Sequence, residues 1–349
     1  MSSVCDNSTV AFEFSVQGII AAWIFATTSL LGIPGNILVI VAVALSQQLQ
    51  TSTNIFVVAL AVIDLLNCLL LPVQVMSLLG IGRSFAFDWT CTIDAVCMYV
   101  FLGISVSTLN LIAYNRFYMI TKAGRDYTRL FTKTNMAAML LGVGGTISTV
   151  TVVFAATGIA KFGHYEGICA HVEGKSYTYL SGVSLLTSLI VIVVCYVKIY
   201  KHVKRHLRHV VSIKDNSVSE TVTIVALPSE CPQARELREE PKPVNAGFAQ
   251  RQRELETKIT TNMLIVIVFF FLCVCPSILT LILPGDQQAS AIIVAIIALN
   301  SCLNPLIYAW KHPVFRHVFK CIIGRKIREI KEPTQWARSL RRTVNVTDQ

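Results

Sequence analysis

Charge is scarce in this chain. Only 14% of its 349 residues are Asp, Glu, Lys or Arg, while 54% fall in the hydrophobic set; a soluble domain carries about a quarter charged residues. The charge that exists is clustered, which leaves long tracts nearly free of it and points to a membrane protein. Other absences narrow the class. No zinc-ligand spacing and no glycine-rich phosphate loop occurs, and the seven histidines fall in predicted loops or at cytoplasmic helix ends. A heptahelical zinc hydrolase therefore lacks ligands. No Ser/His/Asp arrangement is evident within the membrane either, so no enzyme is expected. The net charge of +10 does not call for nucleic acid, because membrane proteins retain Lys and Arg on their cytoplasmic side. The opening MSSVCDNST has no basic n-region, and the first span is expected to serve as signal-anchor.

Long apolar runs are what the sequence does contain. They lie near 18–46, 53–79, 89–121, 134–158, 177–203, 258–284 and 289–310, each long enough to span about 30 Å of hydrocarbon as a helix. The expected class is all-α: a seven-transmembrane helix bundle with a short amphipathic helix after the last span. Pro34, Pro72, Pro276 and Pro305 fall inside spans, where neighbouring helices can satisfy the carbonyls they free. With the N-terminus outside, the outer loops hold Arg83, Lys161 and Lys175, and the other 27 of 30 basic residues face the cytosol. That predicts a multi-pass plasma-membrane protein. Its parts would be an extracellular arm (1–17), a bundle (18–310), an interfacial helix (311–323) and a cytoplasmic tail (324–349). The insert 204–257 is expected to be disordered in its middle, with basic helical continuations at its ends. Those ends would meet anionic lipid headgroups or a protein partner.

Polar groups in the spans carry the functional hypotheses. Asp64, mid-span two, needs partners because an unpaired buried carboxylate is costly. Asn36, Ser105, Asn300, Ser301 and Asn304 are candidates. The group is either a neutral acid in a hydrogen-bonded knot or part of a small-cation site. Asn7 opens a glycosylation sequon. After Tyr308, Val314, Phe315, Val318, Phe319 and Ile322 share one helical face, an interfacial helix on membrane lipids. Cys321 on it is either a palmitoylation site or a plain buried thiol. Thr334, Ser339 and Thr343 are generic phosphorylation candidates in a basic tail.

Several motifs occur together in order. They are Gly35-Asn36, Leu60-Ala61-Val62-Ile63-Asp64, Cys91 placed 25 residues before Arg116, and Asn115-Arg116-Phe117. Tyr196, then Phe270, Cys273 and Pro276, then Asn304-Pro305-Leu306-Ile307-Tyr308 follow. This set, over about residues 18–323, resembles the class A (rhodopsin-like) G-protein-coupled receptors. The resemblance implies a Cys91–Cys169 disulfide, with Cys5 left free or paired between molecules. It implies a sodium pocket of Asp64, Ser105, Asn300, Ser301 and Asn304. It also implies a switch built on Asn115, Arg116, Glu256, Tyr196, Phe270, Pro276, Asn304, Pro305 and Tyr308, in which Glu256 pairs with Arg116. Arg116 taken by itself also fits a side chain that snorkels to headgroups.

The resemblance also tests ligands. Ala298 stands where opsins carry the retinal lysine, which excludes a retinal Schiff base, and Met98 stands where aminergic receptors place an Asp. The Asn-Arg-aromatic triplet resembles melatonin receptors, yet 136–215 holds no Asn or Gln for their ligand contacts. Gln74, Asp94, Met98, Leu102, Ser277 and Thr280 are the candidate pocket, fitting a small or lipid-like molecule. Asp94 is either a solvated headgroup-level charge or a ligand anchor. Asn115, Ser188 and Val274 replace the usual Asp, Pro and Trp. The expected function is passing a ligand signal to a heterotrimeric G protein, with arrestin as a further partner. A ligand-silent or scavenging receptor is the alternative, and a transporter or channel the remoter one.

Overall fold

A computed structural model describes residues 16–81, 85–122, 124–165, 167–225, 268–276 and 291–339. Its elements run in the order α1 (Val16–Leu45), α2 (Ser52–Leu78), α3 (Phe85–Thr121), the short α4 (Arg125–Leu130) and α5 (Lys133–Ala156). A hairpin of β1 (Lys161–Tyr165) and β2 (Ile168–Glu173) follows, then α6 (Lys175–Val225). Helix α7 covers 268–276. It is followed by α8 (Ala291–Ala298), α9 (Asn300–Lys311) and α10 (Pro313–Ile323). Among the described residues six segments are long and apolar enough to cross a membrane. The predicted sixth span, 258–284, lies mostly outside those residues, and so do Asn7, Glu256, Ser277 and Thr280.

Starts and stops follow local chemistry. The Thr51 and Thr132 hydroxyls accept from Asn54 N and Asn135 N, capping α2 and α5. At α10 the acceptor is His312, with Pro313 in the first turn where its missing N–H costs nothing. Helix α6 runs on to Val225, so it extends into the insert 204–257, whose middle was expected to be disordered. Once a helix exists, each added residue gains a hydrogen bond without a new nucleation cost.

Two of the in-span prolines, Pro72 and Pro305, are tolerated because α1 supplies donors. Pro72 frees the Cys68 carbonyl, which accepts the Ser29 hydroxyl at 2.9 Å. Pro305 frees the Ser301 carbonyl, which accepts Asn36 Nδ2, also at 2.9 Å. Gly35 permits the second contact, since a Cβ there would stand 2.9 Å from Pro305 Cβ. The Gly35-Asn36 pair thus sets how closely α1 and α9 approach.

The hairpin is an addition to the all-α expectation. Ile168 and Ala170 of β2 are buried with Ala21, Ala22, Phe25, Leu71, Leu78 and Ala298, across one end of α1, α2 and α8. Rings of Tyr99, Phe162, His171 and Tyr177 pack the other side at centroid separations such as 5.3 Å for Phe162–His171 and 5.2 Å for His171–Tyr177. Burial lowers the pKa of His171, whose Nε2 finds no partner among the described residues.

Candidate functional site

Three polar rungs join α2 to α3, one at each level of the bundle. The first is at the end that carries the hairpin. Cys91 near the start of α3 is bonded to Cys169 of β2, with their Cα atoms 5.0 Å apart. Gln74, fully buried, donates through Nε2 to the Cys169 carbonyl at 2.8 Å and to Asp94 Oδ2 at 2.6 Å. Its Oε1 accepts the Cys169 N–H at 3.0 Å. Asp94 is 1% exposed, so the reading of it as a solvated headgroup-level charge is corrected: helix and hairpin close over it. Its Oδ1 has no hydrogen-bond partner among the described residues. The Met98 sulfur lies 3.0 Å from Gln74 Nε2, and Leu102 packs one turn deeper.

The middle rung is Asp64. Ser105 Oγ donates to its Oδ1 at 2.8 Å and Asn304 Nδ2 to its Oδ2 at 2.8 Å. Asn67 Nδ2 donates to Ser301 Oγ at 2.9 Å, and Asn300 offers its carbonyl to Asn304 Nδ2 at 3.4 Å. Ser105 and Asn304 thus reach the carboxylate directly, Ser301 is held beside them by Asn67, which was not singled out from sequence, and Asn300 takes part through its backbone carbonyl. They fit a small hard cation by donor type: a carboxylate, two hydroxyls and the Asn304 Oδ1, which is buried without a partner among the described residues.

The third rung lies at the opposite end. The Thr53 hydroxyl donates to Asn115 Oδ1 at 2.7 Å, and Asn115 Nδ2 reaches the Tyr127 hydroxyl at 3.4 Å. Neither Thr53 nor Tyr127 was singled out from sequence, because an isolated Thr or Tyr carries no spacing signal. Arg116, next in the chain, is 5% exposed. Around it are the buried Tyr196 and Tyr308, whose hydroxyls have no partner among the described residues. His312 faces the same charge: burial first and Arg116 second lower its pKa to about 4. Phe270 and Val274 of α7 are fully buried in the same core, so the valine fills the usual tryptophan position as packing. Pro276 ends the described part of α7.

Beyond α9 the amphipathic helix forms as expected, burying Phe315, Val318 and Phe319. Cys321 is buried as well, and its thiol pKa is raised chiefly by that burial.

Residues 35–308 match the family model of the seven-transmembrane receptors of the rhodopsin family. The alpha-1A adrenergic receptor of Cavia porcellus is 27% identical over 338 residues, covering 92% of this chain and 71% of the relative. The alpha-1D adrenergic receptor of Rattus norvegicus is 27% identical, covering 90% of this chain and 60% of its own length. Squid rhodopsin superposes with a TM-score of 0.70 at 17% identity, covering 92% of this chain and 89% of that one, which speaks to the fold alone. Both sequence relatives are receptors and carry adrenergic names, so the melatonin-like flavour read from Asn115-Arg116-Phe117 is not theirs. A family match over most of the chain, on a helical frame with Asp64, Arg116 and Asn304-Pro305 in place, identifies the protein as a multi-pass membrane receptor of the rhodopsin family.

Proposed function

We propose that this chain transmits binding of a small ligand at the hairpin end to a heterotrimeric G protein at the Arg116 end. The supporting observation is the ladder Gln74–Asp94, Asp64–Ser105 and Thr53–Asn115, which ties α2 to α3 at all three levels. A ligand that shifts the first rung changes the relation of the two helices that carry the third. Ligand and partner each favour one arrangement, and the shift is limited by their differential affinities. In the arrangement seen here Arg116 is buried, which a docking partner would have to undo.

The hairpin end is proposed to face outward and the tail the cytosol, with 27 of 30 basic residues on the tail side as support. For the ligand we favour a small, largely apolar molecule with one hydrogen-bond donor, directed at Asp94 Oδ1. Met98 offers no charge for an amine where aminergic receptors by resemblance carry one. Sodium would be held by Asp64, Ser105, Asn300, Ser301 and Asn304. When bound it would supply positive charge to the middle rung, favouring the present packing of α2, α3 and α9. Arrestin is a further proposed partner at the tail end.

A neutral Asn115 beside Arg116 also admits a second reading, a receptor that binds ligand without coupling. The test is a panel of G-protein biosensors in cells expressing the full chain, screened with small apolar and lipid-like compounds. A basal or evoked signal lost in Arg116→Ala supports coupling. Ligand binding with no signal from any biosensor supports the silent receptor.

A further inference from the structure

The chain does not stop at α10. Gly324 and Arg325 turn it back, and a short turn at Ile327–Glu329 lies over the helix, with the Glu329 carbonyl 3.2 Å from His317 Nε2. The segment then crosses to the turn between α1 and α2. Glu332 O accepts Gln47 N at 2.9 Å, and Pro333 pairs with Ser46 as an antiparallel bridge. Thr334 makes the central attachment. Its N–H donates to Leu45 O at 3.0 Å, and its hydroxyl donates to Ala44 O at 2.8 Å while accepting Ala337 N at 3.2 Å. Ile330 and Ala337 on either side are buried in one apolar cluster with Leu45, Leu49, Phe319 and Cys321.

Two features separate this strap from passive packing. Arg325 and Glu332 hold φ at 55° and 50°, and they are the non-glycine residues at positive φ among those described. Arg325 takes its value in the turn that closes α10, where Lys326 N and Arg325 N donate to the Cys321 and Ile322 carbonyls at 2.7 and 3.1 Å. Glu332 stands at no helix end, so its conformation persists only where the docked contacts impose it, and undocking relaxes it. The Thr334 hydroxyl, meanwhile, has spent its one proton on a carbonyl, in a residue 7% exposed. A phosphoryl group there would replace the proton with anionic acceptor oxygens facing the Ala44 and Leu45 carbonyls. Off the bundle the same group faces solvent, with Arg338 four residues along the chain. Arg338 is then free to turn toward the phosphate, and like-sign repulsion from the carbonyls is gone.

We propose that residues 324–339 form a reversible strap over the α1–α2 turn, and that phosphorylation of Thr334 releases it. In that reaction a nucleoside triphosphate gives up its γ-phosphoryl group. The new P–O bond forms at Thr334 Oγ1, the bond to the departing nucleoside diphosphate breaks, and the hydroxyl proton passes to a base of the kinase. Because the docked hydroxyl is covered, the kinase acts on the transiently free tail and the phosphate prevents its return. Release also uncovers Cys321. The proposal rests on the orientation given above, which places this end in the cytosol.

The test uses the full chain in permeabilised membranes with Ser46→Cys and Pro333→Cys, bridge partners whose backbones lie within disulfide reach. Mild oxidant should cross-link this pair, and should still do so with Thr334→Ser added. Adding Thr334→Glu should abolish the cross-link. After incubation with ATP and a cytosolic extract, phosphate on Thr334 should appear in the uncross-linked pool and be missing from the cross-linked one. A Thr334→Glu variant that cross-links like its parent, phosphate shared equally between the pools, or no phosphate on Thr334 would overturn the proposal. Permeabilised membranes make these readings independent of orientation, which protease access to the tail in sealed vesicles checks separately.

Discussion

Gln74 grips Cys169 by both of its backbone groups, donating to the carbonyl at 2.8 Å and accepting the N–H at 3.0 Å. A side-chain amide is the one group of that size that can mimic a β-strand neighbour, offering a donor and an acceptor side by side. It does so from inside a helix, and the same nitrogen holds Asp94. The disulfide fixes β2 covalently to α3, and Gln74 orients it. Gln74→Ala should leave the Cys169 groups and Asp94 unpaired in a buried site, at about 1–3 kcal/mol for each unsatisfied group. The expected result is a clear fall in thermal midpoint with the disulfide intact, read by scanning fluorimetry of purified receptor. An unchanged midpoint would mean that the disulfide alone positions the hairpin.

The middle rung predicts a salt effect. If the oxygens around Asp64 take sodium, raising NaCl at constant ionic strength should weaken agonist binding in the parent and leave Asp64→Ala nearly flat. Asn67→Ala, which removes the donor to Ser301 Oγ, should blunt the effect without abolishing it. Radioligand competition with choline chloride as the balancing salt separates sodium from ionic strength. Equal sodium sensitivity in the parent and Asp64→Ala would remove the cation from this site.

How much of this was legible beforehand depends on whether a residue acts through spacing or through place. Asp64, Ser105, Ser301 and Asn304 could be named because polar groups in apolar spans are costly and must find one another. Cys91 and Cys169 followed from family resemblance. Thr53 and Tyr127 stayed hidden, since a threonine near a helix start or a tyrosine in a short helix between spans has many uses. Asn67 falls under the same rule as Asp64 and was overlooked. The hairpin was missed because KFGHY and ICAHVE are short and stand in a loop between long spans, where apolar periodicity has no room to show. The strap was missed for a different reason. Its composition is basic and polar like that of a free tail, and its docking depends on backbone groups of Leu45 and Gln47 that no sequence displays.

His312 predicts a pH dependence whose sign can be worked out. Its ring closes α10 by accepting the Phe315 N–H at Nδ1, 3.4 Å away, which requires that nitrogen unprotonated. In place its pKa is about 4, against 6.5 for the free side chain. Above pH 6.5 both folded and unfolded states are neutral, and nothing is lost. Between 6.5 and 4 the unfolded state takes up the proton and the folded state does not, so stability falls as pH falls. The full shift corresponds to about 3 kcal/mol. His312→Asn keeps a capping acceptor without a titrating ring. Its thermal midpoint should vary less between pH 7.5 and pH 5 than that of the parent. Identical slopes would assign the pH effect to other groups.

The proline contacts offer a sharper test of how the bundle is held. Asn36 satisfies the Ser301 carbonyl only because Pro305 brings no N–H to it. Asn36→Ala should therefore orphan that carbonyl in the parent, a loss of roughly 0.6–2 kcal/mol for an interhelical bond in lipid. With Pro305→Ala in place, the helix regains its own N–H for Ser301 O, and the same Asn36→Ala change should cost less. The two substitutions are thus expected to be non-additive, in the direction of the double variant being more stable than the sum predicts. Ser29→Ala with Pro72→Ala gives an independent copy of the argument at the Cys68 carbonyl. Strict additivity in both pairs, measured by thermal unfolding in one detergent, would mean that α1 packs against its neighbours by shape and not to repair their broken backbones.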